Sequence, residues 1–213
     1  MNESAIRDTI VRLAQSLFQR GYTVGSSGNI SARVEDGLLI TPTNSCFGFL
    51  DPARISKLDA TGKHVGGDAP SKEIFLHQAF YETRKGAGAV VHLHSTHATA
   101  LSCLPGIDPD DAIPPLTPYV VMRVGRVKLV PYVRPGDPAM GDLIRALGGK
   151  YAAVLLANHG PVVSAKDVET AAYASEELEE TAKLVLLLRG ENPRRLTDGQ
   201  IEELIRVFQT PKS

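Results

Sequence analysis

The chain has 213 residues, 43% hydrophobic and 22% charged, a balance that excludes a disordered polymer and suits one domain over residues 1–213. Its formal charge of −1, from 23 Lys and Arg against 24 Asp and Glu, excludes the basic surface that nucleic acids and anionic membranes require. No apolar run reaches the roughly 18–20 residues of a transmembrane helix, the N-terminus does not read as a signal peptide, and two cysteines, Cys46 and Cys103, suit the reducing cytoplasm.

In chain order, Ile6, Ile10, Leu13 and Leu17 predict an amphipathic helix over Ser4–Arg20, ended by Gly21. Two β-like runs follow, Ile30–Val34 and Leu38–Thr41, joined by the hairpin signal Glu35-Asp36-Gly37. A third strand piece is expected at Ile55–Leu58, before the turn Thr61-Gly62-Lys63. Ser71 is a natural N-cap for the next helix, which places Glu73 in its first turn. Ala87–His94 reads as a buried strand and Thr96–Leu104 as a short helix. Beyond a proline-rich loop, Tyr119–Val124 and Val127–Val133 are β-like, and a helix is expected from Pro138 to Leu147. Strand pieces at Ala152–Ala157 and Val162–Ser164 flank the turn Asn158-His159-Gly160. Helices over Asp167–Leu188 and Asp198–Phe208 complete a sheet covered by helices, an α/β or α+β layered domain of unreadable strand order.

The informative stretch is Val90-Val91-His92-Leu93-His94. Alternate side chains of a strand share a face, so His92 and His94 point the same way and can converge on one metal ion. His159, beside the flexible Gly160, is the third candidate, and three histidines match some catalytic zinc sites. Glu73 is a fourth ligand that can also leave the metal to carry protons. An isolated His-x-His pair is more often structural than not. His64 and His97 read as ordinary, and His77, one helical turn from Glu73, is expected to face elsewhere.

Three polar segments suit an anion: Ser26-Ser27-Gly28-Asn29, Thr41-Pro42-Thr43-Asn44-Ser45, and Ser71-Lys72 at a helix start. Singly, each reads as a turn. Together they can form one phosphate pocket in which Lys72 supplies a full charge. None is a nucleotide signature.

These segments, with Gly28-Asn29-Ile30-Ser31, Leu39-Ile40-Thr41-Pro42-Thr43, Ser71-Lys72-Glu73, Val90–His94 and Asn158-His159-Gly160 in order, resemble the class II aldolase/adducin family over about residues 5–190. The resemblance implies a three-layer α-β-α sandwich, classed as α/β, around a mainly antiparallel sheet, and a cytoplasmic homotetramer with sites at subunit interfaces. It implies one Zn²⁺ per chain on His92, His94, His159 and Glu73, with Glu73 as acid/base. It maps phosphate contacts onto Asn29, Thr43, Asn44, Ser71 and Lys72, beside Ser27 of the first loop, and a tyrosine acid donated across an interface onto Tyr119. Asn44 and Lys72 depart from the aldolase pattern, which has Gly and Ser there. Pro114–Gly125, Arg134-Pro135-Gly136-Asp137 and Glu176–Lys183 resemble one branch, decarboxylases of 3-oxo-tetronate 4-phosphate. The implied substrate is a phosphorylated sugar acid whose carboxylate either Arg123 or Arg126 would hold. The alternatives are an aldolase or 4-epimerase on another sugar phosphate, or a non-catalytic interaction module; the intact ligand set argues against the last.

Overall fold

Asn2 accepts the Ala5 amide proton and starts α1 (Glu3–Gln19), whose Ile10, Leu13, Ala14 and Leu17 are buried. The computed structural model describes residues 2–208. After a loop, β1 (Asn29–Val34) and β2 (Gly37–Ile40) form an antiparallel hairpin in which Val34 faces Gly37 across the loop Glu35-Asp36. β3 (Ser56–Asp59) and β4 (His64–Gly66) extend that edge, and α2 (Ile74–Thr83) and β5 (Ala89–His92) follow. Then come α3 (Thr96–Ser102), α4 (Pro118–Arg123), β6 (Val127–Val130), α5 (Ala139–Ala146), β7 (Ala153–Leu156), β8 (Gly160–Ala165), α6 (Val168–Leu187) and α7 (Asp198–Phe208). The strands form one sheet of order β4-β3-β2-β1-β5-β8-β7-β6. All neighbours are antiparallel except β6 and β7.

Alternation along the central strands assigns the helices to faces. Ile30, Ala32 and Val91 pack with α1 and the start of α6, while Ala153, Leu155 and Val163 pack with α3, α4 and the rest of α6. Val90, Val154, Leu156 and Val162 point the other way, onto Leu76 and Phe80 of α2 and Met140 and Ile144 of α5. The result is a three-layer α-β-α sandwich around a mainly antiparallel sheet. No helix among the described residues is long and apolar enough to cross a membrane.

Three local expectations are corrected and one unforeseen strand is added. Tyr119–Val124 is the helix α4, not a strand. Thr117 accepts the Val120 amide proton, Pro118 occupies the first turn, and Val120, Val121 and Val124 then share one buried face. Ser71 does not cap α2, because its hydroxyl accepts from Glu73 N within a separate turn; Glu73 is itself the N-cap residue, one step before the first turn. β5 stops at His92, leaving His94 just beyond the strand. β4 is a short edge strand whose exposed residues give no apolar alternation to read.

Candidate metal centre

β5 delivers His92 to the α2 face of the sheet, and in the register of β1 with β5 Asn29 stands directly opposite it. Leu93 and His94 continue past the strand without reversing that direction. The third imidazole comes from the β7–β8 turn, where Asn158 takes a left-handed φ of 57° and Gly160 a φ of 154°. Gly160 is needed for space as well as for its dihedral: a Cβ there would sit 2.3 Å from the Leu93 carbonyl oxygen. The two turns therefore touch, and His159 lands on the His92–His94 pair.

The three Nε2 atoms lie 3.1 Å (His92–His94), 3.1 Å (His94–His159) and 3.3 Å (His92–His159) apart. His92 Nδ1 donates to the Pro161 carbonyl at 2.9 Å, so its Nε2 is the bare nitrogen and presents a lone pair to the other two rings. A cation placed among them would engage all three lone pairs at once. The spacing matches the about 3.3 Å between ligands of a tetrahedral site with 2.0–2.1 Å bonds. Glu73 completes the ring, with Oε2 3.5 Å from His92 Nε2 and Oε1 3.6 Å from His159 Nε2. Three imidazoles and one carboxylate can hold a metal ion, and the residues present fit one.

Electrostatics agree. Burial pushes the His92 imidazole down to about 4 and lowers those of His94 and His159, so all three are neutral ligands near pH 7. Burial works against ionising Glu73, but His92 opposite it and the Asn29 amide outweigh burial and hold its carboxyl below the ordinary range.

The matching family model is the Class II Aldolase and Adducin N-terminal domain, over residues 8–186. The chain belongs to the class II aldolase and adducin family. A relative from Pectobacterium atrosepticum named 3-oxo-tetronate 4-phosphate decarboxylase is 52% identical over 204 residues, 95% of this chain and 94% of the other. The crystal structure of YgbL from Klebsiella pneumoniae, described as a candidate aldolase, epimerase or decarboxylase, superposes with a TM-score of 0.93 at 47% identity, covering 96% of this chain and 99% of that one. An L-fuculose 1-phosphate aldolase superposes with a TM-score of 0.87 at 27% identity, covering 96% of each.

In this family member the three polar segments meet at one cleft of about 520 Å³, lined by Ser27, Asn29, Thr43, Asn44, Ser71 and Lys72 beside Glu73, His94 and His159. Ser27 is partly committed, its hydroxyl donating to the Val24 carbonyl at 2.6 Å. Asn44 takes a left-handed φ of 56° at the rim, and Lys72 is exposed. Tyr119 is not brought to this cleft; it lies 54% exposed on α4 under the Arg123 guanidinium. Arg123 and Arg126 also lie outside the lining, and Arg126 faces Asp111. Arg134, also outside that lining and 3.7 Å from Asp137, borders Glu73 and His159 in an adjoining pocket, in the loop whose Pro135 and Gly136 line the cleft.

His77 does not face elsewhere. It is fully buried, and its Nε2 meets Asn29 Oδ1 at 2.5 Å while Asn29 Nδ2 donates to Glu73 Oε2 at 2.8 Å. The signal was present in the four-residue spacing of Glu73, His77 and Tyr81, one stripe of a helix. The other histidines have local partners. His97 faces the buried Glu179, and His64 Nε2 meets the Gly66 carbonyl.

Proposed function

We propose that this chain is a zinc-dependent decarboxylase that converts 3-oxo-tetronate 4-phosphate to dihydroxyacetone phosphate and CO₂, in the cytoplasmic breakdown of four-carbon acid sugars. The single observation that carries the reading is the set of three converging Nε2 atoms with Glu73 beside them, in a cleft rimmed by phosphate-competent groups. The 52%-identical relative supplies the substrate class.

The substrate has its carboxylate at C1, a hydroxyl at C2, a ketone at C3 and a phosphate at C4. When the C1–C2 bond breaks, its electron pair moves toward the C3 carbonyl, CO₂ leaves, and an enediolate remains. A zinc ion held by His92, His94 and His159 supplies Lewis-acid stabilisation of that developing negative charge. Glu73 carries the proton, drawn from solvent, that finishes the product at C2. Lys72, Ser71 and the Thr43-Asn44 turn anchor the phosphate away from the reacting bond and so orient it. Arg134, bordering Glu73 and His159, is placed better than Arg123 or Arg126 to meet the carboxylate. The assembly is a homotetramer in which Tyr119 serves a neighbouring site; its exposure and its place outside the lining of its own cleft support that role.

The test is an assay of zinc-loaded protein with 3-oxo-tetronate 4-phosphate, reading CO₂ and dihydroxyacetone phosphate together. Equimolar release of both is expected. Cleavage of a ketose 1-phosphate without decarboxylation of the acid would make it an aldolase instead.

A further inference from the structure

Behind Glu73 runs a buried hydrogen-bonded zipper between α2 and β1. Glu73, His77 and Tyr81 form one stripe of α2, and Asn29 and Ser31 form one stripe of β1. Four helical residues rise about 6 Å, and two strand residues advance about 6.6 Å, so the two stripes interleave tooth by tooth. Tyr81 Oη lies 2.8 Å from Ser31 Oγ, which lies 2.7 Å from His77 Nδ1; His77 Nε2 meets Asn29 Oδ1, and Asn29 Nδ2 meets Glu73 Oε2. Asn29, Ser31, His77 and Tyr81 are all buried.

The direction of every bond follows from the Glu73 end. A carboxylate only accepts, so Asn29 must turn its NH₂ toward Glu73 and its carbonyl toward His77. His77 must then carry its proton on Nε2. A neutral imidazole with Nε2–H has a bare Nδ1, which accepts from the Ser31 hydroxyl, and Ser31 in turn accepts from Tyr81. Burial keeps the Tyr81 hydroxyl protonated by pushing it up and keeps His77 neutral by pushing it down to about 3. An amide interrupts the chain, so it does not pass protons along; it transmits orientation.

We propose that His77 is the positioning residue of this site: its Nε2–H, set by Ser31 and Tyr81, selects the Asn29 amide orientation that aims an N–H at Glu73 and holds that carboxylate beside the three histidines. The role of Glu73 in turnover rests on the function proposed above. The tautomer and the metal affinity do not.

The decisive experiment labels the histidines with nitrogen-15 and reads each ring nitrogen as protonated or bare, with His77 assigned as the ring missing from His77→Gln. A protonated Nε2 with a bare Nδ1 is expected, and a protonated Nδ1 overturns the proposal. Zinc affinity by chelator competition is the second readout. Supporting residues of metal ligands act at about 10–100-fold, so His77→Leu should weaken zinc by about tenfold, and His77→Gln, which keeps an amide N–H at the Nε2 position, should restore most of it. Equal loss in the two variants, or no loss in His77→Leu, overturns it. In the decarboxylation assay, kcat of His77→Leu should fall by about 10–100-fold on the same ground, with KM nearly unchanged. If the wild-type chain turns over no acid, the proposed function fails while the tautomer and the zinc affinity still decide this inference. If His77→Leu does not fold, the tautomer decides alone.

Discussion

His92 gives its Nδ1–H to the Pro161 carbonyl, and that one bond decides which nitrogen meets the other two imidazoles. Two substitutions separate holding a metal from using it. His92→Ala should lose both bound zinc and turnover, whereas Glu73→Gln should bind zinc more weakly, still load with excess metal by elemental analysis, and lose turnover. Glu73→Gln with wild-type kcat would remove the proton-carrying role. Acid should also weaken the metal-free fold. His77 and His92 are held down at about 3 and about 4 against an ordinary 6.5, so the unfolded chain binds protons that the folded chain refuses. Stability is complete above about pH 6.5 and falls as the pH drops toward those folded values. From pH 7 to pH 5 each histidine should remove about 2 kcal/mol. Urea midpoints at the two pH values check this, and equal midpoints would contradict it.

Among elements, the helices serve the site mainly by where they end. Glu73 occupies the N-cap of α2, so the helix start and the carboxylate beside the three histidines are the same residue. On the opposite face, Glu179 of α6 is buried and accepts the backbone amides of His97 and Ala98 at 2.8 Å each, closing the start of α3. Glu179→Ala leaves those N–H groups unpaired and should cost about 1–3 kcal/mol in denaturant unfolding. The β7–β8 turn is the more sensitive junction. Gly160→Ala combines a disfavoured dihedral with a contact on the Leu93 backbone. It should cost about 1–3 kcal/mol, and because the strain pushes His159 away from His94, zinc affinity should fall with it. Unchanged affinity in a destabilised variant would separate turn strain from ligand placement.

For the whole molecule, the cleft lies at one end of the sheet, while Tyr119 is exposed on a helix that packs on α6 and α7. A homotetramer with shared sites therefore predicts complementation. His92→Ala and Tyr119→Phe should each be nearly inactive alone. Mixed and reassembled, the two should regain part of the wild-type activity, because some sites then combine an intact histidine set with an intact tyrosine. No recovery, with hetero-oligomers demonstrated by mass, would place Tyr119 outside the mechanism.

Much of this chain was legible without coordinates, because its signals are local. The apolar spacing of α1, the Glu35-Asp36-Gly37 hairpin and the start of α6 at Asp167 are short-range geometry, and they appear where expected. His92-x-His94 and the Asn158-His159-Gly160 turn were visible as candidate metal ligands for the same reason. What tertiary structure decided is which distant residues meet. Tyr119–Val124 has strand-like composition, yet a cap at Thr117 and a buried face against α6 make it a helix. Asn29, which lines the cleft with the other expected phosphate residues, also bonds His77 and Glu73 through its amide. That pairing exists because β1 and α2 lie in adjacent layers with nearly matching repeats, and neither segment's sequence records the alignment of one against the other. The identities of the three converging histidines were written in the chain; the orientation of the carboxylate beside them came from packing.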